Sequence, residues 1–177
     1  MKKYELTAEF IEKWGKKLFR IKALISFGSV EVGELGGYVE KEDNLAQDGD
    51  AWVYGNAEVS GDAWVYGNAR VYGNAEVYGN AWVSGNARVY GDADYLLIGR
   101  IGSRLSFTTF FQNKDKGITV SCGCFLGTIA EFRTKVTDTH GNNKHAKMYN
   151  LAADMAELQI LGEEHFDKLN TNKSEPS

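Results

Sequence analysis

The sequence predicts a mainly β fold built around a parallel β-helix, because its central segment repeats with a period of six residues. Alanine follows each repeated glycine by two positions, and valine follows it by four as far as Gly85. The repeat unit is therefore (Asn or Asp)-Ala-x-Val-x-Gly. The glycines of this series are Gly49, Gly55, Gly61, Gly67, Gly73, Gly79, Gly85 and Gly91.

Each unit predicts a short strand followed by a tight corner. Alanine and valine lie two residues apart, so they point to one side of an extended strand and the residues marked x point to the other. Glycine and the following Asn or Asp tolerate the backbone conformations of a corner. Nine units over residues 44–97 predict three coils, and degenerate units at Leu35 and Ile101 extend this to about four.

This repeat resembles that of the hexapeptide-repeat proteins, in which three units form one triangular coil of a left-handed parallel β-helix. The resemblance implies that valine fills the interior of the coils and that alanine leaves room at the corners. We therefore expect a mainly β protein with a left-handed parallel β-helix of about three to four coils. An N-terminal hairpin caps the helix in this prediction, and a small α+β domain follows it.

The flanking segments predict the hairpin and the α+β domain. Apolar residues alternate over 18–27, which predicts a strand paired in a hairpin around Gly15. Two further strands are predicted at Phe107–Phe111 and Ile118–Cys124. The predicted domains are a capping hairpin, the β-helix, the α+β domain and a flexible tail, at 1–31, 32–103, 104–169 and 170–177.

Two helices are predicted within the α+β domain. Thr128 and Glu131 form a capping box for the first helix, and Gly141 is placed to end it. The second helix is predicted over 144–161, where five apolar residues recur at helical spacing. The side chains expected to be buried there are Met148, Leu151, Ala152, Met155 and Leu158.

The outward positions of the repeat sort into columns, because coils of 18 residues stack equivalent residues about 4.8 Å apart. One face carries a column of Trp52, Arg70 and Arg88 beside a column of Tyr54, Tyr72 and Tyr90. A second face carries Glu58, Glu76 and Asp94. We expect a homo-oligomer, a trimer, in which the basic face of one subunit meets the acidic face of the next. Further partner contacts are expected at Trp64, Trp82 and Arg104.

Nearly the whole chain, from about residue 4 to 161, resembles a family of small and mostly uncharacterised phage and prophage proteins. The resemblance extends over both flanks and the repeat. Such proteins are labelled acyltransferase-like or polymer-forming, so the resemblance implies a scaffold but no particular activity. The matching pieces are Phe19-Arg-Ile-Lys-Ala-Leu, Gly33-Glu-Leu-Gly-Gly-Tyr-Val-Glu-Lys-Glu-Asp-Asn-Leu, Ile101-Gly-Ser-Arg, Thr108-Thr-Phe and Ser121-Cys-Gly-Cys-Phe.

The sequence disfavours the enzymatic roles of hexapeptide-repeat proteins. An acyltransferase needs a histidine base, but His140, His145 and His165 all lie beyond the repeat. Cys122 and Cys124 place both thiols on one face of a strand, which favours packing over catalysis or metal binding. No catalytic residue, metal or cofactor is expected. The net charge of −4 also disfavours direct nucleic-acid binding. The first residues lack the apolar run that a secretory signal requires, so we expect an intracellular protein.

The leading functional hypothesis is a non-catalytic phage accessory protein. It oligomerises through its β-helix and binds a host protein or ribonucleoprotein complex, with inhibition of a host defence system as the expected outcome. Its expected location is the host cytoplasm, away from the membrane. The alternatives are a nucleotide or nucleotide-sugar binding protein or transferase with sites between subunits, and a structural polymer-forming protein.

Overall fold

The computed structural model describes residues 1–91 and 94–166 and divides into two compact units, Met1–Asp92 and Ala93–Ser177. The protein is mainly β, with a solenoid-like repeat in the first unit. The predicted domain boundary between 103 and 104 falls later than this division, and the predicted tail at 170–177 lies outside the described residues.

The first unit begins with an antiparallel hairpin, which confirms the hairpin predicted around Gly15. Strands β1 (Tyr4–Lys13) and β2 (Lys16–Ala23) pair through a two-residue turn, and the predicted strand over 18–27 ends earlier, at Ala23. Strand β3 (Leu35–Val39) adds to β2 in antiparallel fashion. A short 3-10 helix over Glu42–Asn44 leads into the repeat.

Seven two-residue strands follow, and they pair in parallel with strands of the neighbouring coil. These strands are β4 (Trp52–Val53), β5 (Glu58–Val59), β6 (Trp64–Val65), β7 (Arg70–Val71), β8 (Glu76–Val77), β9 (Trp82–Val83) and β10 (Arg88–Val89). One sheet joins β4, β7 and β10, and its register aligns Val53 with Val71 and Val71 with Val89. A second sheet continues from β3 into β5 and β8, and a third joins β6 and β9.

The six-residue period explains this arrangement residue by residue. The repeated alanines and valines are almost fully buried, from Ala51 to Val89. The corner glycines from Gly49 to Gly85 all have φ between 62° and 70°, a region that other residues rarely adopt. A Cβ at Gly49 would lie 2.6 Å from the carbonyl oxygen of Gly67 in the neighbouring coil. Glycine therefore permits both the corner and the close stacking of coils.

The two degenerate units predicted at Leu35 and Ile101 do not continue the repeat. Val39, not Leu35, aligns with Val59, and Leu35 is 49% exposed. Leu45 likewise pairs with Val65. In both pairs the partners are 20 residues apart, not the 18 residues of three six-residue units, so the fixed period predicts the wrong start for the first coil. Ile101 pairs with Ser106 in an antiparallel sheet of the second unit.

The N-terminal residues cover the start of the repeat with hydrogen-bond donors. Lys3 is buried, and its ammonium donates to the carbonyl oxygens of Asp48, Gly49 and Ala51 at 3.2, 3.4 and 3.0 Å. Burial lowers the pKa of Lys3 to about 8, against the opposing effect of Asp48 and Asp50. The hydroxyl of Tyr4 lies 2.8 Å from the carbonyl oxygen of Leu45. These donors satisfy backbone carbonyl oxygens at the start of the repeat, which is the physical basis for the capping role expected of the N-terminal hairpin.

The second unit is a four-stranded antiparallel sheet with two helices. Its strands are β11 (Tyr95–Ile101), β12 (Ser106–Gln112), β13 (Ile118–Cys122) and β14 (Phe125–Thr128), paired in that order. The predictions of β12 and β13 are confirmed. Strand β11 was missed because its residues continue the repeat in sequence, and β14 was missed because it is only four residues long.

Both predicted helices are confirmed at α1 (Ile129–His140) and α2 (Lys144–Leu161). Thr128 and Glu131 form the expected capping box, and Gly141 is the C-cap of α1. The guanidinium of Arg133 on α1 donates to Asp154 and to buried Glu157 on α2, both at 2.7 Å. Within residues 1–91 and 94–166, no helix has the length and apolar character needed to cross a membrane.

The buried face predicted for α2 is wrong, apart from Ala152. The helix packs on the sheet and α1 through small residues, which allow a close approach of the backbones, and through one tyrosine. Met148, Leu151, Met155 and Leu158 are instead 38%, 63%, 57% and 45% exposed. Both sides of α2 are apolar in sequence, so helical spacing alone does not identify the packed side. The buried residues are Ala146, Tyr149, Ala152, Ala153, Ala156, Glu157 and Ile160.

Candidate functional site

The tyrosine column of the repeat forms a continuous stack. Tyr54 and Tyr72 have ring centroids 4.6 Å apart, and Tyr72 and Tyr90 have centroids 4.8 Å apart, with nearly parallel rings. Arg70 and Arg88 lie on the adjacent outward column and pair in register. Arg70 donates to the hydroxyl of Ser29 at 2.7 Å and Arg88 to the carbonyl of Asn68 at 3.1 Å. The predicted basic face therefore exists, with both arginines half-buried.

The predicted acidic column is bridged by a lysine of the same chain. Glu58 and Glu76 align across β5 and β8, and the ammonium of Lys13 lies 2.9 Å from Glu58 and 2.6 Å from Glu76. Hydrogen bonds to Glu76 and Glu58 raise the pKa of Lys13, so it stays charged at neutral pH. The third predicted member, Asp94, belongs to the second unit. The repulsion between Glu58 and Glu76 is thus relieved without a second subunit.

Trp52, expected at a subunit contact, is fully buried within its own chain. The rings of Tyr4 and Phe27 meet it edge-on at 6.1 and 5.4 Å. The hairpin and the segment after it therefore occupy the space outside this position. No surface of Trp52 is available to a second copy.

Trp64 and Trp82 form the exposed aromatic face of the repeat. They align in register across β6 and β9 and are 38% and 42% exposed. The ring of Trp64 stacks on Tyr66 at 4.2 Å and meets Trp82 edge-on at 6.1 Å. The rings thus hold one another in place, which lowers the entropy lost when a partner covers them.

A pocket of about 210 Å³ in the second unit brings together several residues that the sequence suggested separately. Arg104, Cys122, Cys124 and His140 all line it. Cys122 is half-buried, and Thr108 donates to its sulfur at 3.2 Å, whereas Cys124 is exposed. No group of three or more metal-binding side chains occurs in the described parts of the chain, 1–91 and 94–166.

Sequence reasoning missed Lys135 and Tyr149, which line the same pocket. Burial and the neighbouring Cys122 together raise the pKa of Tyr149 to about 12, against the opposing effect of Arg104. A Cβ on residue 102 would collide with the Tyr149 hydroxyl, so Gly102 allows the tyrosine to reach this position. The pairing of Gly102 with Tyr149 has no sequence signal, because it depends on how α2 packs on the sheet.

One comparison with known protein families matches part of the repeat. A family model described as the YdcK β-solenoid repeat matches residues 63–79 and 69–85. This segment includes Trp64, Arg70 and Trp82, and the match agrees with the solenoid-like repeat seen in the structure. No curated protein matches the chain.

Proposed function

We propose that this chain is a non-catalytic binding and assembly protein. In this proposal the repeat is a left-handed β-helix of three to four coils that self-associates, as a trimer, through its outward faces. The second unit then binds a host protein or ribonucleoprotein complex. The resemblance to phage and prophage proteins supports a role in infected host cytoplasm, where such binding inhibits a host defence system.

The proposal of partner binding is based on an exposed apolar seam of α2, defined as Met148, Leu151, Met155 and Leu158. These residues follow one another at spacings of three, four and three, which places them in one line along the helix. Each is at least 38% exposed. A contiguous apolar surface on a soluble domain marks an interaction site more often than scattered apolar residues do.

The seam fits a partner protein with an apolar groove or a helix of its own. From Met148 to Leu158 it extends for about 15 Å, the length over which a helix in a groove places its anchor residues. Methionine and leucine adapt their shape to the partner, which suits a surface that must bind a foreign protein. Residues flanking the seam are charged or polar, as at Lys144 and Lys147, and form the rim expected of an interface.

The double substitution Leu151→Glu and Met155→Glu should abolish partner binding. It places two charges at the centre of the seam, where each anchoring side chain contributes about 2 kcal/mol or more. We expect recovery of the partner from host lysate to fall by about 30-fold or more. The measurement is quantitative mass spectrometry of proteins retained by the tagged full-length chain.

The matched control is Lys114→Gln with Lys116→Gln, which makes the same change in net charge at exposed positions in the turn between β12 and β13, outside α2. It should retain the partner fully. Equal partner recovery by both variants would refute the seam as the binding surface. A fall in the mass of the seam variant by light scattering would instead assign the seam to self-association.

Self-association is proposed through the exposed Trp64 and Trp82 face. The expected pairing of arginine and glutamate columns between subunits loses its main driving force, because Lys13 already bridges Glu58 and Glu76. The aromatic face has apolar area to bury, and the half-exposed Arg88 on another face of the repeat is a suitable cation for an indole ring of the next subunit. A contact between different faces closes into a ring, as a trimer requires.

A further inference from the structure

All charged side chains that line the pocket of the second unit are basic. They are Arg104 and Lys135, His140 is a further basic residue in the lining, and no aspartate or glutamate lines the pocket. Among the ion pairs of residues 1–91 and 94–166, none includes Arg104 or Lys135. By contrast, Arg133, on the same helix as Lys135, has two carboxylate partners. Two cations thus meet at one cavity without the counter-charge that a structural ion pair would supply.

The rest of the lining combines hydrogen-bond donors with an apolar wall. Ser103, Ser106 and Thr139 bring hydroxyl groups to the pocket. Phe125, Phe132 and Val136 supply its apolar wall, and Phe132 and Val136 are buried in the core of the unit. The ring of Phe132 packs against the rings of Phe125 and Tyr149, with centroids 5.6 Å apart in each pair. A fitting ligand therefore has an anionic end and an apolar body.

We propose that this pocket binds a phosphate monoester that carries a small apolar or aromatic group. A phosphate monoester has a charge of about −1.5 to −2 at neutral pH and three acceptor oxygens, which matches two permanent cations and several hydroxyl donors. The guanidinium of Arg104 can bind two of these oxygens at once. A carboxylate has half the charge and leaves one cation unpaired. The apolar wall selects esters over inorganic phosphate.

The pocket and the α2 seam use different residues, so this proposal goes beyond the proposed function and does not depend on it. Tyr149 faces the pocket from the buried side of α2, whereas the seam lies on its exposed side. Substitutions in the pocket should leave oligomer mass and partner recovery unchanged. Failure of either proposal is therefore recognisable by itself.

The test is a calorimetric titration of phenyl phosphate into the full-length protein. We expect saturable binding at one site per chain, with weaker binding of benzoate and of inorganic phosphate and none of benzyl alcohol. The variant Arg104→Gln with Lys135→Gln should bind phenyl phosphate at least about tenfold more weakly, because a charged hydrogen bond contributes about 1.5–3 kcal/mol. Both side chains are exposed enough for the variant to fold.

The charge-matched control is Arg100→Gln with Lys114→Gln, two exposed basic residues of the same unit that do not line the pocket. It should bind as the parent does. Absence of saturable binding by the parent, or equal loss in both variants, would overturn the proposal. Equal affinity for inorganic phosphate would overturn the selection of an ester. A peptide bearing phosphotyrosine, titrated in parallel, identifies the source: tighter binding than phenyl phosphate assigns the site to a protein segment, and weaker binding assigns it to a free metabolite.

Discussion

Val77→Asp is expected to unfold the repeat. Val77 is 1% exposed on β8 and aligns with Val59 in the neighbouring coil. An aspartate there buries a charge with no partner, which costs several kcal/mol and is comparable with the 5–15 kcal/mol that stabilises a typical domain. Because coils of a repeat are stabilised mainly by their neighbours, loss of one coil propagates to the next.

The measurement is urea denaturation followed by circular dichroism. The adjacent substitution Tyr78→Asp is the control, since Tyr78 is 58% exposed and a charge there remains in water. We expect the Tyr78 variant to unfold within about 0.5 kcal/mol of the parent, as is usual for surface substitutions. Similar destabilisation by both substitutions would contradict the assignment of Val77 to the interior of the repeat and of Tyr78 to its surface.

If the chain forms the proposed trimer, Trp64→Ser combined with Trp82→Ser should convert it into monomers. Both indoles are exposed on one face of the repeat, and Trp64 packs on Tyr66 and Trp82. Buried tryptophans at an interface commonly contribute 2 kcal/mol or more each, so losing two weakens self-association by about a thousandfold. Their serine replacements remain at exposed positions and leave the buried alanine and valine rows untouched.

Light scattering coupled to gel filtration measures this change in mass. The control variant is Trp14→Ser with Tyr78→Ser, which removes two aromatic side chains that are 77% and 58% exposed elsewhere on the first unit. We expect the control to keep the mass of the parent. A monomeric parent, or a tryptophan variant with the full oligomer mass, would show that the Trp64 and Trp82 face does not mediate self-association.

The repeat was predictable because each position has a separate physical requirement. Glycine adopts the positive φ that the corner requires, and alanine and valine are apolar residues that fit the buried positions. The fixed period aligns equivalent residues between coils. The start of the repeat was not predictable from the period, since the first coil advances by 20 residues between Val39 and Val59. The match of residues 63–85 to a β-solenoid repeat concerns the part where the period is strict.

Candidate site residues were less predictable, because their neighbours come from distant parts of the chain. The columns of outward residues followed from the period, but the bridge from Lys13 to Glu58 and Glu76 depends on where the hairpin lies. Likewise, Tyr149 reaches the pocket only because α2 packs through its alanine side. The apolar side of α2 that the sequence assigned to the core is the side that the structure leaves exposed.

The most direct test of partner binding places a photoreactive phenylalanine analogue at position 151 of the full-length chain in host cells. A second protein carries the same analogue at exposed position 114, in the turn between β12 and β13 and outside α2. We expect irradiation to link position 151 to one partner protein and position 114 to none. Crosslinks from position 151 only to a second copy of the chain, or equal products from both positions, would contradict the proposal that the α2 seam binds a partner.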